Sequence, residues 1–131
     1  MIIIRFDRTP VPKARARASK QGHYTPENTR YAESLLRADA IQHMGVMAPL
    51  EGPLDVRIDY HILPPASWSE KRKDEAYGTW ISKRPDLDNY AKLTCDALNG
   101  VVWNDDGQIA QLLVLKKYSR TSFSIINARN L

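Results

Sequence analysis

"LDVRIDYHIL", Leu54 to Leu63, alternates without a break. Leu54, Val56, Ile58, Tyr60 and Ile62 fall on one side of an extended chain, and Asp55, Arg57, Asp59, His61 and Leu63, mostly polar, fall on the other. Period two of this kind predicts a strand with one face on a core and one in water. Asp59 and His61 are residue types that chemistry uses, but the alternation already explains them as part of a solvated sheet face. They are assigned no role.

Working outward, Gly45 to Pro53 is a turn-rich connection, and the segment before it is helical. Thr25 offers a capping hydroxyl and Pro26 suits a first helical position, so a helix is predicted from there to about Met44. Its apolar stripe is Ala32, Leu36, Ala40 and Met44, widened by Leu35 and Ile41, which makes core packing a sufficient role for Met44. Ile2 to Phe6 reads as a short strand, and the segment from Pro10 through the following lysines, arginines and alanines reads as a loop. On the other side, Pro64 to Arg84 has no clear period and predicts at most a short helix around Ser69 to Tyr77. Pro85 and "DLDN" start a second main helix, roughly Asn89 to Leu98, with Asp86 or Asp88 able to cap it and Asn99-Gly100 as its exit. "VVW" (101–103) predicts a short strand and "NDDG" (104–107) a turn. "IAQLLVLKKY" (109–118), apolar on both faces, predicts a central strand, and Thr121 to Asn127 an outer one. The order strand, helix, strand, loop, helix, strands predicts an α/β fold of α+β type. We expect a single domain over residues 1–131, with a mixed or antiparallel sheet packed by two main helices.

Composition narrows the function. With 131 residues, 43% hydrophobic and 26% charged, the chain is of a size and balance that builds a core without disulfides. Cys95 is the single cysteine, and His23, His43 and His61 lack zinc-ligand spacing, so structural zinc is not expected. No apolar run spans a bilayer, and "MIIIRFDR" lacks the parts of a signal peptide, which predicts a cytoplasmic protein with no membrane partner. The formal charge is +4, and Lys13, Arg15, Arg17 and Lys20 cluster without an acid between Val11 and Lys20. Such a segment suits either phosphate contacts or a solvated basic loop. Trp68, Tyr77 and Trp80 among Lys71, Arg72, Lys73, Lys83 and Arg84 suit stacking on unpaired bases or packing on the domain.

Within this basic chain, "KRPDLDNYAKLTCDALNGVVWNDDGQ" (83–108) holds five aspartates and no glutamate. Singly they have plain structural explanations: an acid at a helix start, an Asp88, Lys92, Asp96 ladder at spacing four, and a turn. Together they predict more. If "VVW" returns beside the helix start, Asp105 or Asp106 meets Asp86 and Asp88, and clustered carboxylates call for a cation. Oxygen-only ligands suit Mg²⁺, or Mn²⁺ in its place, which take one or two carboxylates, waters and phosphate oxygens. A hard metal inside a basic surface describes a phosphodiester-cleaving site, with Lys92 as a donor to the oxyanion or to the water. There is no Gly-rich phosphate loop and no Ser/His/Asp set to compete with it.

The stretch "RPDLDNYAKLTCDALNGVVWNDDGQI" closely resembles the signature of the RusA family of Holliday junction resolvases, and "PVPKARAR" and "HYTPENTRYAE" resemble that family's N-terminal region. By position, the resemblance implies Asp86 and Asp88 as paired metal ligands and Lys92 as the catalytic lysine. It also implies Asp106 as the remaining catalytic aspartate and Asp105 as a further candidate ligand. Asn89 and Asp96 match the motif, and the place of Asp96 late in the helix favours a structural ion pair. The implied activity is Mg²⁺-dependent cleavage of four-way DNA junctions by paired symmetric nicks, in recombination and repair, carried out by a homodimer whose two sites match the two-fold symmetry of the junction. Lys13, Arg15, Arg17, Lys20, Lys83 and Arg84 are the candidate nucleic-acid contacts. The alternatives are a nuclease for flaps, forks or other branched DNA, and a junction-binding protein without cleavage.

Overall fold

The computed structural model describes residues 1–14, 17–19, 22–24 and 27–131, with the backbone alone for 17–19 and 22–24. The alternating stretch is a strand, β4 (Leu54–Ile62), and it is one of the two inner strands of the sheet. The others of that sheet are β1 (Ile2–Phe6), β5 (Ile109–Tyr118) and β6 (Phe123–Asn130), in the order β1-β6-β4-β5. The β1/β6 and β6/β4 pairs are antiparallel and β4/β5 is parallel, so the sheet is mixed. Registers Ile4↔Ile126 and Ile58↔Ile126 put the buried sets of three strands on one face, which α1 (Glu27–Met44) and α3 (Leu87–Ala97) cover. With the short α2 (Glu70–Ala76), these helices and the mixed sheet make a small α+β fold.

Several elements differ from the sequence expectation. The segment after Pro12 is not all loop: β2 (Arg17–Ser19) and β3 (Gly22–Tyr24) pair as a small antiparallel sheet. The Thr25-Pro26 helix start lies outside the described residues. Ile41 is exposed, and buried Thr29 extends the α1 stripe instead. The two C-terminal strands exchange places, with β6 inside and β5 at an edge, where Leu112 and Leu113 are exposed. "VVW" is not a strand. It is a turn touching Leu50 and Asn99 by isolated bridges, and Val102 and Trp103 are wholly buried within it.

The outer face of the sheet absorbs the two residues that were left without a role. Asp59 pairs with Arg57 at 2.9 Å, and His61 stacks on Phe123, whose ring also carries Arg5 at 3.8 Å. The short helix α2 starts at Ser69, whose hydroxyl accepts from the Arg72 amide at 3.2 Å. Its neighbours pin the aromatic rings: Trp68 lies under Arg72 (3.7 Å) and against Tyr118, whereas Trp80 is 65% exposed with Lys117 over it at 4.1 Å.

Candidate active site

Helix α3 presents the acidic stretch because its inner side is anchored. Tyr90, Leu93, Thr94, Ala97 and Leu98 are buried, and the Tyr60 and Thr94 hydroxyls share a bond of 2.7 Å inside the core. At about 100° per residue this leaves Asp88, Lys92 and Asp96 along one outward stripe. Asp86 is the extended residue before the first turn. Its carbonyl accepts from Asn89 and its side chain makes no cap bond. Lys116 holds the approach, donating from Nζ to the carbonyls of Lys83 (2.6 Å) and Pro85 (2.7 Å).

The other carboxylates arrive through a turn built from the inside. The chain leaves α3 through Gly100, whose φ of +78° is the left-handed conformation that side chains resist. Buried Trp103 donates its indole N–H to Asn99 Oδ1 at 2.9 Å and fixes the loop, and Arg37 donates to the Asn99 carbonyl. A 3-10 turn, Asp106–Gln108, follows with Asp105 as its cap. Asp105 Oδ2 accepts from the Gly107 amide (2.9 Å), while Gln108 Oε1 accepts from the amides of Asn104 (2.8 Å) and Asp105 (3.0 Å). Gln108 Nε2 donates to the carbonyls of Leu50 (3.0 Å) and Gly52 (3.1 Å), tying the turn to the chain before β4.

This geometry brings Asp88, Lys92 and Asp106 to one open hollow of about 370 Å³, lined on its apolar side by Ile109, Leu112 and Val114. Lys92 Nζ lies 2.9 Å from Asp96 Oδ1 and 3.8 Å from Asp106 Oδ2. Asp86 lines a neighbouring hollow with Arg84 and Asn89. Asp86, extended at the helix cap, and Asp88, in the first turn, thus line different hollows. One oxygen of Asp105 is taken by its capping bond. Among the described residues no three His, Cys, Asp or Glu side chains gather into a group for a metal ion. The pair Asp88 and Asp106 nonetheless suits a hard cation, because Mg²⁺ is commonly held by one or two carboxylates with waters and substrate phosphate completing its shell.

The charges are tuned accordingly. The hydrogen bond to Asp96 raises the Lys92 ammonium above its ordinary range against slight burial, so Lys92 is a cationic donor and not a base. Burial works against the charge on Asp96, but the bonds from Lys92 and Lys13 outweigh it and hold its carboxyl below the usual range. Burial pushes the Cys95 thiol up to about 12, which removes it as a thiolate nucleophile.

Of the candidate DNA contacts, Lys13 is 22% exposed and paired with Glu33 and, at 3.1 Å, with Asp96. Lys83 lies 5.0 Å over the Trp68 ring and Arg84 is exposed. Arg15 and Lys20 lie outside the described residues, as does the side chain of Arg17. Sequence reasoning missed Gln108 and Lys116. For Gln108 the signal was present, since Asp105-x-x-Gln108 is the spacing of a capping box. For Lys116, one of two adjacent lysines in a strand, there was none. No helix among the described residues is long and apolar enough to cross a membrane.

Comparison with known proteins shows the family. The chain is 33% identical over 113 residues to an uncharacterized protein of Bacillus subtilis (strain 168), YqaN, with 82% of this chain and 78% of that protein covered. The family model described as Endodeoxyribonuclease RusA matches residues 7–126, a span that holds α1, α3, the 3-10 turn and every residue of the hollow. The chain belongs to the RusA family of endodeoxyribonucleases.

Proposed function

We propose that this RusA-family nuclease is a metal-dependent enzyme that resolves four-way DNA junctions by paired nicks, in the context of recombination and repair. The observation that carries the reading is the meeting of Asp88, Lys92 and Asp106 at one hollow, from a helix start and a distant turn. Asp88 and Asp106 would hold Mg²⁺ there, with Mn²⁺ as a substitute. The bound ion supplies Lewis-acid activation of water and of the phosphate. Lys92, kept protonated by Asp96, donates to a phosphate oxygen as negative charge builds on it. Asp86, which lines a neighbouring hollow with Arg84, would bind a second cation or orient water.

Resolution needs two cuts related by two-fold symmetry, so the reading includes a homodimer with one hollow on each copy. Arg84, Lys83 and the basic segment around Arg15, Arg17 and Lys20 would grip the backbone, giving an affinity that falls steeply with salt. The test is cleavage of end-labelled four-way, flapped and linear DNA side by side, with the mass of the free protein measured by sedimentation. Paired nicks at symmetric positions on the four-way substrate, from a protein of twice the chain mass, are the expected result. Equal or faster cutting of flaps would replace junction resolution with a broader branched-DNA nuclease.

A further inference from the structure

A line of paired, half-buried charges runs from α1 and the N-terminal arm to the hollow. Glu33 on α1 pairs with Lys13 on the N-terminal arm, and Lys13 reaches Asp96 Oδ2 at 3.1 Å. Asp96 Oδ1 accepts from Lys92 at 2.9 Å, and Lys92 stands 3.8 Å from Asp106. Glu33, Lys13 and Asp96 are each about one-fifth exposed (22%, 22% and 20%), Asp106 is 29% exposed, and Lys92 stands out at 59%. The inner end is also fixed by backbone bonds. The Lys13 amide donates to the Asn89 carbonyl at 2.8 Å, and the Ala14 amide to the hydroxyl of buried Thr29 at 3.3 Å.

The division of labour within Asp96 is the informative point. A carboxylate bonded through one oxygen is free to rotate about its last torsion, whereas one whose two oxygens are claimed from two directions is held in plane. An exposed lysine has a long flexible stem, and its donor stays in one place only if its acceptor does. Lys13 is therefore poorly placed to grip DNA, because its ammonium is already shared between two carboxylates, Glu33 and Asp96, and well placed to orient the acceptor of Lys92. We propose that Asp96, held by Lys13 and Glu33, is the positioning residue that aims the Lys92 ammonium at the hollow. On this proposal Lys13 serves cleavage through Asp96 and is not a phosphate contact. The inference rests on the role given to Lys92 above.

The experiment is single-turnover cleavage and equilibrium binding of a synthetic four-way junction by the full chain. The variants are Lys13→Gln, Lys13→Arg, Asp96→Asn, their Lys13→Gln/Asp96→Asn combination and Lys92→Met, each checked for folding by urea titration. Asp96→Asn is expected to slow cleavage by about 10- to 100-fold, the scale of a displaced catalytic group, while junction affinity stays within about twofold. Lys13→Gln should slow cleavage in the same way but less, Lys13→Arg should restore part of the loss, and the double variant should be no slower than Asp96→Asn alone. The slope of affinity against salt should be unchanged in Lys13→Gln. A slope reduced by about one with weakened binding would make Lys13 a phosphate contact and overturn the proposal, as would wild-type cleavage by folded Asp96→Asn. Wild-type cleavage by Lys92→Met would bring down the reading of the site itself, which is a separate outcome.

Discussion

Gln108 tests whether the 3-10 turn is the device that delivers Asp106. Its amide makes four hydrogen bonds, accepting from Asn104 and Asp105 and donating to Leu50 and Gly52. Gln108→Ala deletes all of them. Each net bond contributes about 0.5–1.5 kcal/mol, and because three of the four lie at the exposed surface the low end applies, giving a loss of about 2 kcal/mol. With a urea slope of about 2 kcal/mol per molar for a chain of this size, the midpoint should fall by about 1 M. The same loss frees the turn from the segment before β4, so Asp106 is no longer held against Lys92, and cleavage should slow by about tenfold or more. Gln108→Glu is the sharper variant. It keeps the acceptor for two amides but sets a carboxylate against the carbonyls of Leu50 and Gly52, so it should be at least as unstable at neutral pH. A Gln108→Ala protein with wild-type midpoint and wild-type cleavage would refute the claim that this clamp holds the turn.

Three further outcomes follow from the same geometry. Tyr60→Phe removes a buried hydroxyl that donates to Thr94, whose own bond to the Tyr90 carbonyl remains, so urea unfolding should show a loss of about 1 kcal/mol; a loss above about 3 would contradict that assignment. Asp96 has a folded-state carboxyl held below its ordinary value of 3.8, so its contribution is present above that value and disappears as pH falls through the lower one. The stability gap between wild type and Asp96→Asn should therefore be full at neutral pH and close below about pH 4, while Lys13 and Lys92 stay charged throughout; a gap unchanged down to about pH 2 would be inconsistent. Cys95 is buried, with its thiol raised to about 12, so iodoacetamide at mildly alkaline pH should label it only after unfolding, and rapid labelling of the native protein would show the packing around it to be wrong.

The parts legible in the sequence were those whose pattern and environment say the same thing. Leu54–Ile62 alternates because one side faces the helices and the other water, and Ser69 before a charged run marks α2 to within a residue. Legibility failed where apolar residues serve something other than sheet burial. In β5, Ile109, Leu112 and Val114 line the hollow and Leu113 is exposed, so an edge strand carries the composition of a central one. The inner strand β6 flanks its one large buried residue, Ile126, with small ones, Ser124 and Ala128, and reads as peripheral. In "VVW" the side chains are buried because a tight turn folds them under itself, a case that β-propensity cannot tell from a strand. At the site, the helical stripe Asp88, Lys92, Asp96 was visible from spacing alone. The double pairing of Lys13 depends on how the N-terminal arm crosses α3, which no local pattern encodes.

The central claim is that Asp88 and Asp106 act with a divalent cation on the DNA backbone. The most direct measurement is cleavage of an end-labelled four-way junction by wild type, Asp88→Asn and Asp106→Asn, each with and without Mg²⁺, alongside the affinity of each protein for the same junction. The account predicts paired nicks by wild type only when the metal is present, with cleavage abolished in both variants while the junction is still bound. Cleavage by wild type in the presence of a chelator, or by either variant at the wild-type rate, would contradict it.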